Sequence, residues 1–188
     1  VAKIFRSPHQ PRKSLTGTMR AFPVTPSSAI LDPEVRCLIA TIGGSNSSSL
    51  IPYLDFQAIK ETRKVICGYS DITSLHGSIM AYSGLRTFYG PAVMCWHGEW
   101  PDGDAQSVQW FLDAVMQNAP QERVLTAPSH WSEHRRRWDN GGWKNISREW
   151  KANPGWTVQN PGTVEAPLVA FNLNTLLTAA GTSYWPEL

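Results

Sequence analysis

Cysteine is scarce in this sequence, with Cys37, Cys67 and Cys95 the only three among 188 residues. Odd in number, widely separated and set among apolar neighbours, they argue against a disulfide framework and a zinc site. They read instead as reduced, buried thiols, which makes the cytoplasm the expected compartment. Charge is sparse as well: charged residues make up 17%, and Lys plus Arg (17) exceeds Asp plus Glu (15) by only two. So small an excess gives no reason to expect a nucleic-acid partner. No apolar run approaches the roughly 18 residues needed to span a bilayer, so no membrane partner is expected either. The opening Val1-Ala-Lys-Ile-Phe-Arg lacks the apolar stretch of a secretory signal. It also lacks an initiating Met, from which we expect a piece of a longer gene product. Metal-binding patterns are missing too. His130 and His134 flank Glu133 without the H-E-x-x-H order or an evident third ligand, so no metal and no cofactor is expected.

What is present suits a globular protein of about one to one and a half domains. Hydrophobic residues reach 41%, with 14 Gly, 14 Pro and nine Trp. Residues 1–30 are rich in Pro, Ser, Thr and basic side chains and read as irregular. Asp32-Pro33-Glu34 marks a turn or a helix start, and the β-rich apolar run Val35 to Ile42 suits a strand buried on both faces of a parallel sheet. It ends in Gly43-Gly44-Ser45-Asn46-Ser47-Ser48, after which Leu50, Ile51, Leu54 and Ile59 recur at helical spacing with Pro52 in the first turn. The pattern then repeats. Lys64 to Cys67 is a short strand, Gly68-Tyr69-Ser70 a tight turn and Asp71 to Tyr82 a helix capped by Gly84. Leu85 to Tyr89 supplies a third strand. Strands alternating with helices predict an α/β fold built on a parallel sheet.

From Cys95 onward the composition shifts, because eight of the nine tryptophans fall between Trp96 and Trp156. Ser107 to Gln117 reads as an amphipathic connecting helix ended by Ala119-Pro120. Short strands and loops are expected over 121–167, and a strand entering a helix over Leu168 to Ala180. The expected organisation is a parallel-sheet α/β domain over 1–118 and an incomplete, smaller, β-rich C-terminal domain over 119–188.

Two strand, glycine-turn, helix units in one parallel sheet put both turns at the same C-terminal edge, where open α/β sheets bind ligands. Gly68-Tyr69-Ser70-Asp71 has the form of a nucleophile elbow. A sharp turn would present the Ser70 hydroxyl while the Asp71 amide points from a helix start toward a developing oxyanion. The Gly43-Gly44 backbone, free of Cβ atoms, could supply the second oxyanion donor. The spacing departs from G-x-S-x-G, since Ile72 stands where the second glycine belongs. A plainer reading makes Ser70 a helix cap together with Asp71 and Thr73. Gly43-Gly44-Ser45-Asn46 also invites a phosphate-cradling reading, as in a nucleotide- or sugar-phosphate-binding module, but lacks both G-x-x-x-x-G-K-[ST] and G-x-G-x-x-G. Arg135-Arg-Arg-Trp138 with Lys144 and Arg148 could clamp phosphate or form an ordinary solvated face.

Taken in order, Leu38-Ile-Ala-Thr-Ile-Gly-Gly-Ser-Asn-Ser, Leu50-Ile-Pro-Tyr-Leu-Asp55, Gly68-Tyr-Ser-Asp-Ile-Thr-Ser-Leu-His76 and Gly84-Leu-Arg-Thr-Phe-Tyr-Gly-Pro91 resemble one family. That family is the serine peptidases comprising LD-carboxypeptidases and microcin C immunity proteins. Asn172-Leu-Asn-Thr-Leu176 and Gly181-Thr-Ser-Tyr-Trp-Pro-Glu-Leu188 extend the likeness, which covers roughly residues 32–188. The resemblance implies a metal-free serine carboxypeptidase. It acts on a murein peptide or on a peptidyl-nucleotide, and it forms a homodimer. It matches Ser70 to the nucleophile, Asp71, Gly43 and Gly44 to the oxyanion site, and Asn172 to an asparagine-containing turn beside the substrate. Trp131 falls where the family has a loop over the cleft. Its indole either stacks on a planar leaving group or packs with Trp138, Trp143 and Trp156. The family's glutamate and histidine would follow the G-T-x-Y-x-P stretch, so the chain reads as truncated relative to the family. A catalytically silent binding protein is the competing expectation.

Overall fold

The computed structural model describes residues 26–100, 105–116, 124–137, 141 and 144–186. In chain order these form α1 (Pro26–Leu31), β1 (Cys37–Ile39), α2 (Phe56–Thr62), β2 (Val65–Gly68), α3 (Thr73–Ser83) and β3 (Phe88–Tyr89). Then follow α4 (Ala105–Val115), β4 (His130–Trp131), β5 (Lys151–Ala152) and α5 (Leu173–Leu177). Short 3-10 turns cover Ser47–Tyr53 and Ser70–Ile72. Contacts gather the chain into two compact units, Val1–Val93 with Val169–Leu188, and Met94–Leu168. These differ from the division expected at 118/119. The tryptophan-rich stretch separates directly after the third strand, and the final segment packs onto the helix that follows Ser70.

In the first unit β1, β2 and β3 lie in sequence order in a parallel sheet, with Cys37 opposite Val65, Ile39 opposite Cys67 and Gly68 opposite Tyr89. This is the expected α/β architecture. The first strand is shorter than the apolar run predicts. Past Ile39 the Ala40 N–H still donates to the Cys67 carbonyl (2.9 Å) and the Ala40 carbonyl accepts from the Val93 N–H (3.0 Å) before the chain bends into the glycine loop. Helix α1 lies partly inside the segment expected to be irregular. Its Ala29 and Ile30 are buried, and that tertiary burial outweighs the Pro and Ser content. The expectation for residues 1–25 lies outside the described residues. The helical run after the glycine loop is divided in two, with Pro52 inside the 3-10 turn and Asp55 opening α2 by accepting from the Ala58 N–H at 2.9 Å.

Ile30, Ala58, Ile59, Ile66 and Ile79 make the core, with Leu38, Leu54, Phe56, Leu75 and Leu85 packed around it. Each fully buried aliphatic contributes about 1.5–3 kcal/mol. Phe56 of α2 stacks on Tyr82 of α3 at 4.9 Å. The buried Lys64 ammonium donates to the carbonyls of Asp32 and of Val35, the latter at 2.8 Å, and so ties the turn after α1 to the start of β2. The strand expected ahead of α5 does not form. Asn172 instead caps α5, donates its own N–H to the Thr73 hydroxyl (2.9 Å) and so fastens the returning segment to α3. Beyond it Pro186 is buried against Gly77, where a β-carbon would stand 3.6 Å from the proline ring.

The second unit holds α4, placed about where the amphipathic run predicts, and the antiparallel pair β4 and β5, in which Trp131 faces Lys151. Among the described residues no helix is long and apolar enough to cross a membrane.

Candidate active site

Strand β2 delivers the chain to its C-terminal edge at Gly68. A β-carbon on Gly68 would stand 2.9 Å from both the Ala40 Cβ and the Ile72 Cγ2, so only glycine lets the strand end pass between the neighbouring strand and the helix start. Two residues later Ser70 has φ +57°, a left-handed conformation that costs a non-glycine residue roughly 1–3 kcal/mol. The sharp corner expected of an elbow is therefore present. It is held on both sides: the Ile72 N–H reaches the Tyr69 carbonyl at 3.2 Å, and the Ser70 N–H donates to the Tyr89 phenol oxygen at 3.0 Å.

The glycine loop after β1 lies against this corner. A β-carbon on Gly43 would approach the Ser70 Cβ to 3.0 Å and its Oγ to 3.4 Å, and one on Gly44 would meet Asp71 Oδ2 at 3.1 Å. The two turns thus share one sheet edge, as their parallel strands predict. Asp71 is buried, and its Oδ2 accepts from the Asn46 N–H (2.9 Å), the Ser47 N–H (2.8 Å) and the Ser47 hydroxyl (2.6 Å). The side chain after the serine therefore locks the glycine loop in place. This role for the Asp71 carboxyl group was not read from the sequence, which assigned only its amide.

His76 lies deep beneath the corner, 1% exposed, with Nε2 3.2 Å from the Gly68 carbonyl. Burial lowers its pKa below the ordinary 6.5, and the Gly68 contact only partly offsets this. The ring is neutral, donates from Nε2, and supports the end of β2 from below. Cys67 is buried and its thiol is pushed up to about 12, first by desolvation and then by Cys37 nearby. Cys37, half-buried, is raised to about 11 by desolvation. Both are inert thiols, and none of the three cysteines is in a disulfide. Asn172 belongs to the same unit, anchored to Thr73 in the first turn of α3. Its Oδ1 is engaged by the Thr175 N–H (3.0 Å) and hydroxyl (3.1 Å).

Trp131 belongs to the second unit. There it helps line a cleft of about 620 Å³ together with Trp96, Trp110, Trp150, Glu99 and Arg148. The Lys151 ammonium lies 5.6 Å from its ring and pairs with Glu133. Of its expected packing partners, Trp138 and Trp143 lie outside the described residues, and Trp156 is 71% exposed. Arg136 and Arg148 form neither a phosphate clamp nor a solvated face. Both ion-pair with the buried Glu99, Arg148 at 3.0 Å, while Arg136 also donates to the Ile146 carbonyl (2.7 Å) and Arg148 to that of His134 (2.8 Å). His134 Nδ1 accepts from the Glu149 N–H at 3.3 Å and His130 Nδ1 meets the Ser129 hydroxyl at 3.0 Å. Among the described residues no three His, Cys, Asp or Glu side chains gather in a way that could hold a metal ion.

Comparison with known proteins places this geometry in context. A family model described as the LD-carboxypeptidase N-terminal domain matches residues 13–90, a stretch containing the glycine loop, the Ser70 corner and Tyr89. Over that stretch this chain is similar to the LD-carboxypeptidases. The Vibrio cholerae protein VC_A0337 is 35% identical over 173 residues, which make up 92% of this chain and 50% of that protein. The microcin C7 self-immunity protein MccF of Escherichia coli is 33% identical over the same extent. A solved structure of MccF in complex with aspartyl sulfamoyl adenosine superposes with a TM-score of 0.73 at 34% identity, covering 85% of this chain and 47% of that one. The MccF-like protein of Bacillus anthracis gives a TM-score of 0.74 at 32% identity, covering 85% and 46%. The chain spans about half the length of the curated relatives it matches.

Three contributors to this site escaped the sequence reading: the Tyr89 phenol, the Asp71 carboxyl group and the Thr73 hydroxyl. Tyr89 alone left a usable signal, since it ends the third strand at the edge where the other two turns lie.

Proposed function

We propose that this chain is the nucleophile-bearing part of a serine carboxypeptidase, with Ser70 attacking a carboxyl-terminal amide. The observation that carries the reading is the left-handed Ser70 with the Gly43–Gly44 loop packed onto it. The strained turn presents the hydroxyl, and the amides of Asp71 and Gly44 are the donors for the oxyanion of the tetrahedral intermediate. A serine hydroxyl needs a base at neutral pH. His76 does not serve, because it is buried and bonded to the Gly68 carbonyl. On the family resemblance, the residues expected to supply the base are a glutamate and a histidine of the C-terminal domain.

The substrate is a small peptide-like molecule, either a murein peptide or a peptidyl-nucleotide. Likeness to MccF, solved with aspartyl sulfamoyl adenosine, favours the second. In this reading Asn172 borders the substrate, and the protein acts as a cytoplasmic homodimer.

The test begins with a fluorophosphonate probe, intact mass and peptide mapping, with Ser70→Ala as control. An adduct on Ser70 is expected in a chain extended to the relatives' full length, together with release of the sulfamoyl nucleoside from an aminoacyl sulfamoyl nucleoside or of the C-terminal residue from a murein tetrapeptide. Absence of both, with retained binding of either compound, would replace the enzyme by a silent binding protein.

A further inference from the structure

Resting on the reading of Ser70 as nucleophile, we propose that Tyr89 is its positioning residue: the phenol oxygen, by accepting the Ser70 N–H, holds the serine in the left-handed turn that presents its hydroxyl. The parallel ladder between β2 and β3 ends one step short of the serine. Gly68 is the last paired residue of β2, opposite Tyr89, and its carbonyl takes the Gly90 N–H at 3.0 Å. The Ser70 N–H lies past that last rung, and the partner it finds is a side chain, the Tyr89 oxygen at 3.0 Å.

That arrangement matters because a serine at φ +57° relaxes toward negative φ unless its surroundings over-determine it. From below, the His76 ring holds the Gly68 carbonyl at 3.2 Å, and its centroid stands 6.3 Å from that of Tyr89. From the side, the Gly43 loop limits how far the serine can swing. Tyr89 supplies the remaining restraint, on the amide itself. At 38% exposed it is not a core residue, so the hydroxyl can be removed without emptying the interior. A phenol both accepts and donates, so it can take the amide proton where a phenylalanine ring cannot.

The experiment compares the 15N-labelled full chain with Tyr89→Phe, and with Tyr82→Phe as a control at a tyrosine likewise partly exposed. In Tyr89→Phe, hydrogen exchange at the Ser70 amide accelerates by about tenfold, the size expected for loss of one hydrogen bond. The Ser70 amide resonance and its HN–Hα coupling change, and the amides of Gly43 and Gly44 shift with them. The amides of Val65 and Ile66 and the melting temperature stay as in the parent, and Tyr82→Phe leaves Ser70 untouched. An unchanged Ser70 amide in Tyr89→Phe overturns the proposal. So does a loss of protection spread evenly along β2 and β3, which would make Tyr89 a general structural residue. Fluorophosphonate labelling of the same samples separates this inference from the one it rests on. If the parent chain takes no label while its Ser70 amide still responds to Tyr89→Phe, the anchor stands and the nucleophile reading falls. If it labels at Ser70 and the amide does not respond, the anchor falls alone.

Discussion

Asp71 and Ser47 are joined twice at one atom: Asp71 Oδ2 accepts the Ser47 hydroxyl at 2.6 Å and the Ser47 amide at 2.8 Å. With the Asn46 amide added at 2.9 Å, one buried oxygen carries the whole approach of the glycine loop to the Ser70 corner. Asp71→Ala leaves three buried or half-buried donors without their acceptor. It should lower stability by about 3 kcal/mol, measured by urea unfolding, with Asp71→Asn losing less because its carboxamide oxygen still accepts.

Gly68 permits the strand end to pass Ala40 and Ile72. The added methyl of Gly68→Ala would stand 2.9 Å from each, between backbone-rooted groups that cannot swing away. We expect a loss of about 1–3 kcal/mol. Gly162→Ala, where a β-carbon meets nothing within 4 Å, should leave the melting temperature unchanged.

Ser70 sits in a conformation that glycine adopts freely. Ser70→Gly should therefore unfold at higher urea than the parent, by about 0.5–1 kcal/mol, while losing all fluorophosphonate labelling. Ser70→Ala should lose labelling without that gain. A matching stability of the two variants would mean the turn is unstrained.

The depressed pKa of His76 sets a direction for acid sensitivity. The folded protein keeps the ring neutral, whereas the unfolded chain binds a proton as pH falls through about 6.5. The contribution is therefore complete above that value and shrinks as pH drops toward the lowered folded-state value, by at most about 1.4 kcal/mol per pH unit. The urea midpoint of the parent should fall between about pH 7.5 and about pH 5.5 by more than that of His76→Gln. Equal falls would show that the ring takes up its proton as readily in the fold as in the unfolded chain.

In the second unit Glu99 balances two guanidinium groups. Glu99→Gln removes a buried negative charge that Arg136, whose side chain is 7% exposed, shares with Arg148, at a cost of about 3–5 kcal/mol to that unit. Because Trp96, Trp110, Trp131 and Trp150 share the cleft with Glu99, the loss should register as a red-shifted tryptophan emission at lower urea.

Much of the first unit is legible because its signals are local. Apolar runs closed by glycine turns mark β1 and β2, Gly84 marks the end of α3, and two parallel strands oblige their following turns to share an edge. Ser70, Gly43 and Gly44 were found together for that reason. The partners of those residues were not, because they arise from pairings distant in sequence. The Tyr89 phenol is 19 residues from Ser70, Ser47 is 24 from Asp71, and Asn172 is 99 from Thr73. Helix α1 was hidden by composition, since Pro and Ser at its start read as loop until Ile30 is seen in the core. Within the arginine run Arg135 and Arg137 are exposed, as a solvated face requires, whereas the pairing of Arg136 with Glu99, 37 residues away, left no local signal.

The junction between Asn172 and Thr73 makes Met94–Leu168 an insertion within the first unit rather than a successor to it. During synthesis the layer that carries Ser70 must therefore wait, with the flank of α3 bare, until the polypeptide beyond Val169 has left the ribosome. A nascent chain halted before that point would expose the face that Pro186 later covers and invite chaperone capture there.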